Sequence, residues 1–367
     1  MKILYVGAVV PEEYSLEIKE NSLAGNKLQM NLINELRKNV DVDILSFICV
    51  PLTEQQQRKI DNYNKKNKYD KYYYKGSNTF LNIKKFRKEI KEKSKNYDLV
   101  MTFNVNYPWL RLPRISKCEK KLLILSDFSD ANSFSNPLLK IYAKICKRDF
   151  LDYTHVVGLS KLHKNYLNKN QKFMYMPGGV KISDFKKTSA TPINGEIKVM
   201  YSGFLGKVTG IDMLVNVFKK GNIKNAKLII TGRGELEDFI KQNCSESINY
   251  LGSLSEKDYL ETLNNSNILI NPRNMNLPEN QNNFPSKVFD YLAVGKVLVS
   301  TKFSGYEDFL DNFYFCESNE EDMEKTLKKA INEYSKNYKD FMKKNTAKVK
   351  EYSWDKQIKK IIEFINS

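Results

Sequence analysis

From Asn282 to Ala293 the chain reads NNFPSKVFDYLA, and an apolar run that suits a strand starts at Val297. Pro285 stands where a helix would begin. Its ring fixes a helical φ, and its missing N–H costs nothing in a first turn. The N–H groups of Ser286, Lys287 and Val288 would then point out of the helix start. With the positive end of the helix dipole they make a site for a phosphate or pyrophosphate. Asp290 falls on the same helix, where a carboxylate can accept hydrogen bonds from ribose hydroxyls. The segment therefore reads as a loop, helix and strand able to hold a nucleotide diphosphate.

Other turns repeat the theme. In YSGFLG, residues 201–206, a glycine turn follows one strand pattern and precedes a helix. Gly203 would let backbone approach a ligand, and Lys207 could reach a phosphate; the alternative is a plain turn. Arg233 sits between two glycines, where it could cover a base or pair with phosphate, or be a solvated loop arginine. Asn271-Pro272-Arg273 closes a third strand. Two histidines, His155 and His163, are too few for a Ser-His-Asp, metal-ligand or redox constellation.

The elements that must position these residues alternate. Strand patterns in the first half are 2–8, 42–48, 98–103, 121–126, 155–159 and 173–176. In the second half they are 198–202, 226–231, 248–251, 268–271, 297–300 and 313–316. Helical patterns such as 26–38, 137–147, 210–219, 235–243, 255–264 and 286–293 lie between them. Such alternation implies parallel sheets built from βαβ units. The fold class expected is α/β, two Rossmann-like doubly wound domains facing a cleft. Residues 1–186 form the first and 197–345 the second, with a polar linker at 187–196 broken by Pro192 and Gly195. The tail is helical in pattern, with Ile358, Ile361, Ile362 and Ile365 on one face.

At 367 residues two domains are the default, and 41% hydrophobic with 28% charged residues suits a globular chain. The five cysteines are scattered without a C-x-x-C pair, which reads as reduced core thiols in the cytoplasm. The first residues suit a buried strand better than a signal peptide, and no run approaches the length of a membrane span. The formal charge of +17, concentrated in the first half, calls for an anionic partner. Residues 80–95 are densest, with Leu81, Ile83, Phe86 and Ile90 near one helical face and lysines around the rest. That pattern fits a surface helix packed on its own domain, a helix lying on anionic lipid, or both.

The ordered motifs resemble the glycosyltransferases of the two-Rossmann-domain (GT-B) fold, in particular the retaining family 4. The matching pieces are the Lys2–Gly7 strand with Ala24-Gly25-Asn26, Pro177-Gly178-Gly179-Val180, Tyr201-Ser202-Gly203 with Thr209-Gly210-Ile211, and Ile230 to Glu235. Tyr250-Leu251-Gly252, the block from Phe284 to Ala293 and Tyr352-Ser353-Trp354-Asp355 complete the set. The resemblance implies sugar transfer from a nucleotide sugar with anomeric configuration retained, and a tail helix, 346–367, packed back on the first domain. The family's paired glutamates align with Asn282 and Asp290. Asp290 keeps a carboxylate for the ribose, whereas Asn282 can still hydrogen-bond the sugar; Glu279 is close enough in sequence to substitute. Phe204 and Thr209 stand where the family often has arginine and lysine, so Lys207 or Lys287 would supply the charge against the leaving diphosphate. Gly25 and Asn26 resemble the acceptor-side loop, and Asp127 would bind a sugar hydroxyl, assist the acceptor or cap the next helix.

The resemblance thus implies a hexosyltransferase-type enzyme. Asn282, Asp127 and Lys207 are its catalytic candidates. Gly203, Arg233, Pro285, Ser286, Lys287, Val288 and Asp290 are expected at the donor nucleotide, with a UDP-sugar favoured. No cofactor and no metal are expected; the one D-x-D triplet, Asp41-Val42-Asp43, sits at a strand start. The acceptor expected is a glycan or lipid-linked glycan of a bacterial surface polysaccharide. The setting expected is cytoplasmic, peripheral on the inner face of an anionic membrane. A non-catalytic glycosyltransferase-like subunit is the rival reading, followed by a sugar-nucleotide epimerase. A nucleic-acid binder ranks last, since no such module is present.

Overall fold

Apolar runs whose residues are buried on both faces become the inner strands of the first unit. The strands are β1 (Lys2–Gly7), β2 (Asp41–Pro51), β3 (Lys71–Lys75), β4 (Leu99–Phe103), β5 (Lys120–Leu125), β6 (His155–Gly158) and β7 (Lys172–Tyr175). They form one sheet of order β3-β2-β1-β4-β5-β6-β7, every pair parallel. Alternate residues of β1 serve opposite cores. Ile3 and Tyr5 join one that includes Ile358, Ile361 and Ile365; Leu4 and Val6 join another with Ile83, Phe86 and Ile90. The computed structural model describes residues 1–15, 17–18, 23–126, 136–185, 195–281 and 284–367, less the side chains of Leu23, Ala24 and Glu279.

The second sheet uses β8 (Ile197–Phe204), β9 (Ala226–Arg233), β10 (Ile248–Tyr250), β11 (Ile268–Asn271), β12 (Val297–Thr301) and β13 (Tyr314–Cys316). Its order is β10-β9-β8-β11-β12-β13, again all parallel. Both sheets follow the doubly wound Rossmann order, reversing direction beside their first strand. The α/β class and the two Rossmann-like units are those the alternation implies. β3 is an addition: its KYYYK has only Tyr72 buried, so an edge strand hides among lysines.

The chain divides into Met1–Gly179 with Trp354–Ser367, and Val180–Ser353. The tail is not one helix. A long helix, Glu320–Lys348, belongs to the second unit, and extended backbone at Ser353 separates it from Trp354–Asn366 in the first. Ile358, Ile361 and Ile365 are fully buried in the first unit's core, and each such side chain contributes roughly 2 kcal/mol. Gly179 lies under the Trp354 ring, where a Cβ would come within 2.5 Å of it. The helix Thr79–Lys93 buries Ile83, Phe86 and Ile90 but leaves Leu81 47% exposed. Among the described residues no helix is long and apolar enough to cross a membrane.

The tightest backbone approach joins β8 to β9. Gly232 has φ +139°, and a Cβ there would stand 1.7 Å from the carbonyl oxygen of Gly203. Gly221 has φ +70° with open space around it. We expect Gly221→Ala to cost about 1 kcal/mol, the ordinary left-handed penalty, and Gly232→Ala at least about 3 kcal/mol from strain and clash together. Urea unfolding followed by circular dichroism would compare them, because both tryptophans, Trp109 and Trp354, report on the first unit.

Candidate functional site

In a parallel sheet the carboxyl ends of all strands lie along one edge, and ligands bind there beside the reversal of strand order. In the second unit that edge carries Gly203 and Phe204 at the end of β8, Arg233 ending β9, Pro272 and Arg273 after β11, and Thr301 ending β12. Side chains hold its turns. The Tyr201 hydroxyl donates to Phe204 O at 2.6 Å, and Thr209 Oγ1 donates to Phe204 O and Gly206 O at 2.9 and 2.8 Å. Gly210, at φ +69°, has room for no Cβ: Pro272 O would lie 2.0 Å away. Buried Asn280 donates to Val208 O at 2.6 Å and Asn274 O at 2.7 Å and accepts from Arg273 Nε at 2.5 Å, joining the turns after β8 and β11.

Phe284 sets the helix start. Its ring packs against Phe289, Phe303 and Phe309 at centroid distances of 5.0, 5.3 and 5.9 Å, which fixes Pro285 at the head of Lys287–Val294. Gly295 ends that helix in a left-handed cap, φ 66°. Among the described residues the N–H groups of Ser286 and Lys287 have no backbone partner. Val288 differs from expectation: its N–H donates to Pro285 O at 3.0 Å, because Ser286 is already in helical conformation and closes a tight first turn. The donor set at the helix start is therefore Ser286 and Lys287.

The Lys287 side chain turns back onto the strand ends. Its ammonium donates to Ser202 Oγ at 2.8 Å and lies 5.4 Å from the centre of the Tyr259 ring. The Tyr259 hydroxyl reaches Asp290 Oδ2 at 3.4 Å. Part of the Lys287 side chain reaches solvent, but protein crowds the ammonium, and burial pulls its pKa down to about 8 against the opposing pull of Asp290. Burial likewise holds the Tyr259 hydroxyl well above the ordinary tyrosine value. A cation, two N–H donors and a carboxylate are thus assembled within one turn of helix. The sequence points to Lys287 and Asp290 but not to Tyr259, Ser202 and Asn280, whose contacts depend on segments far apart in the chain.

The remaining candidates are dispersed. Lys207 is exposed at the start of the turn Lys207–Thr209, and Arg233 is exposed at the end of β9. Gly203 lies within β8, where a Cβ would come 2.7 Å from the Tyr201 hydroxyl. Phe204 is 54% exposed. In the first unit, Gly25 and Asn26 occupy the first turn of the helix Leu23–Leu36 rather than a loop. Asn26 Oδ1 accepts from Val10 N at 3.0 Å and so latches the segment after β1. Asn282 and Asp127 lie outside the described residues, and so does the side chain of Glu279. Ser126, just before Asp127, is held by Asn104: Ser126 N donates to Asn104 Oδ1 at 2.9 Å. Within the D-x-D triplet, Asp43 accepts from the Tyr97 hydroxyl and has Lys2 Nζ at 3.5 Å.

Residues 183–349 match the family described as glycosyl transferases group 1. Compared with curated protein sequences, the chain matches none. Solved structures resemble it over its whole length. Sucrose-phosphate synthase from Thermosynechococcus elongatus has a TM-score of 0.72 at 11% identity, covering 100% of this chain and 98% of that one. Alr3699/HepE of Anabaena, in complex with UDP, has 0.70 at 13%, covering 99% and 100%. A glycosyltransferase from Rickettsia africae ESF-5 has 0.70 at 16%, covering 100% and 98%. At these identities the likeness is one of fold: each of the two units has the Rossmann-like form found in the GT-B architecture.

A dianionic ligand paired with Lys287 requires its ammonium to be protonated. Affinity for a nucleoside diphosphate should therefore be flat below the free-protein pKa of about 8 and fall above it, by up to about tenfold per pH unit. Lys287→Arg, which stays charged, should abolish the fall. Calorimetric titration across that range checks both; an unchanged profile in the arginine variant would remove Lys287 from the phosphate site.

Proposed function

We propose that the chain is a retaining glycosyltransferase that moves a hexose from a nucleotide diphosphate sugar to a glycan or lipid-linked glycan acceptor. The observation that carries this reading is the convergence of Lys287, Asp290 and the Ser286–Lys287 N–H groups at one helix start on the ligand-binding edge. The family match of residues 183–349 supports transfer of a glycosyl group. UDP and UDP-glucose complexes of Alr3699/HepE support a UDP-sugar as donor.

In the mechanism we infer, the two N–H donors and the Lys287 ammonium neutralise charge building on the departing diphosphate. Asp290 accepts from the ribose hydroxyls. Arg233, at the end of β9, covers the base or a phosphate, and Gly203 lets the diphosphate approach the backbone. Lys207 adds positive charge at the turn, and Asn282 holds the sugar hydroxyls. The acceptor hydroxyl attacks from the face the diphosphate leaves. Its proton passes to a phosphate oxygen, so the bond to the sugar is replaced with configuration retained. Asp127 and the Gly25–Asn26 turn serve the acceptor. With cations of the protein placed against the diphosphate, the reaction we infer is metal-independent. The five free cysteines and the positive first unit favour a cytoplasmic site facing an anionic membrane, with surface polysaccharide as the product class.

A calorimetric panel of UDP, GDP, ADP and their sugars, without added metal, tests the donor site. Selective binding of one nucleotide is expected, weakened roughly tenfold by Asp290→Ala through loss of the ribose hydrogen bonds. Binding of none would move the non-catalytic subunit reading to first place.

A further inference from the structure

The helix Pro137–Phe150 faces solvent with residues its own core does not need. Ala143, Asp149 and Phe150 are buried and Tyr142 and Cys146 half-buried, which defines the inward face. Leu138, Ile141 and Ile145, spaced three and four apart, form an outward stripe that is 75, 56 and 39% exposed. Beside it Lys140, Lys144, Lys147 and Arg148 are all exposed. The helix has one carboxylate, Asp149, and that group is buried, accepting from Arg111 N at 2.9 Å. The outward surface therefore combines apolar side chains and cations with no anion on the helix itself.

The surface continues beyond the helix. The Tyr142 hydroxyl donates to Asn106 Oδ1 at 3.5 Å, and the next residue, Tyr107, is 53% exposed with the Arg87 guanidinium 5.7 Å from its ring. An amphipathic tyrosine beside arginine suits the boundary between apolar and aqueous phases. A second copy of the chain would bring the same cations against these, and a chain of charge +17 repels itself. An anionic bilayer satisfies both halves of the pattern: the stripe enters the acyl boundary while the lysines extend to lipid phosphates.

We propose that the helix Pro137–Phe150 is the membrane-docking element of this protein, lying in the headgroup layer of an anionic bilayer. The idea deepens the transferase reading, since it would hold the acceptor side at the lipid. Its test uses neither nucleotide nor sugar, so failure of the donor site and failure of docking are told apart.

The experiment is co-sedimentation of the full chain with phosphatidylcholine vesicles with and without phosphatidylglycerol. The wild type should bind only the anionic vesicles, and less at raised salt. The triple variant Leu138→Gln, Ile141→Gln, Ile145→Gln should bind at least about tenfold more weakly with unchanged thermal unfolding. No binding by the wild type, equal binding to neutral vesicles, or undiminished binding by the triple variant would overturn the proposal. If the triple variant unfolds earlier, Lys144→Gln with Arg148→Gln decides: weaker anionic binding supports docking, and unchanged binding overturns it. A wild-type dimer dissolved by the triple variant, without vesicle binding, would assign the stripe to a second copy and overturn the membrane reading.

Discussion

Parallel pairing constrains everything else in this protein. A parallel strand must be followed by a crossover over a sheet face, so each face is covered and every strand ends on the same edge. In the second unit, the crossovers of β8 and β11 diverge at that edge. The glycine turns, the Asn280 bridge and the head of Lys287–Val294 are all built there. The close contact of Gly203 with Gly232 brings β8 and β9 together at that edge with no Cβ between them. A ligand cradle follows from strand order first and from side chains second.

Most of this frame is legible in the chain because buried parallel strands are near-continuous apolar runs. The expected β1, β4 and β11 differ from the observed strands by a residue or less at each end. β3 was missed because only Tyr72 is covered, and lysines flank its tyrosines as they would in a loop. The helix start at Pro285 is a local signal, and it was read. The first-turn bond of Val288 was not, since it depends on the backbone angle of Ser286. Tyr259 and Ser202 meet Lys287 only when three separated segments fold together, and no spacing in the sequence records that meeting.

The two basic helices of the first unit show the same limit from another side. Thr79–Lys93 has the denser charge, yet its Ile83, Phe86 and Ile90 are used by the core. Pro137–Phe150 carries fewer charges, and four of its aliphatic side chains, Leu138, Leu139, Ile141 and Ile145, are left exposed. Periodicity says that a face exists; only packing says whether the protein itself has already occupied it.

The return of Trp354–Asn366 to the first unit carries a consequence for biosynthesis. Trp354, Ile358, Ile361 and Ile365 line a core whose other buried members lie before residue 180, yet a ribosome makes them after the whole of Val180–Ser353. Until then the nascent first unit lacks these buried members of its core, and the apolar surface they cover is the kind that holdase chaperones bind. The second unit, contiguous from Val180 to Ser353, has no such wait. The domain translated first is thus the one finished last, and stalled or truncated synthesis would leave it with its core unsealed.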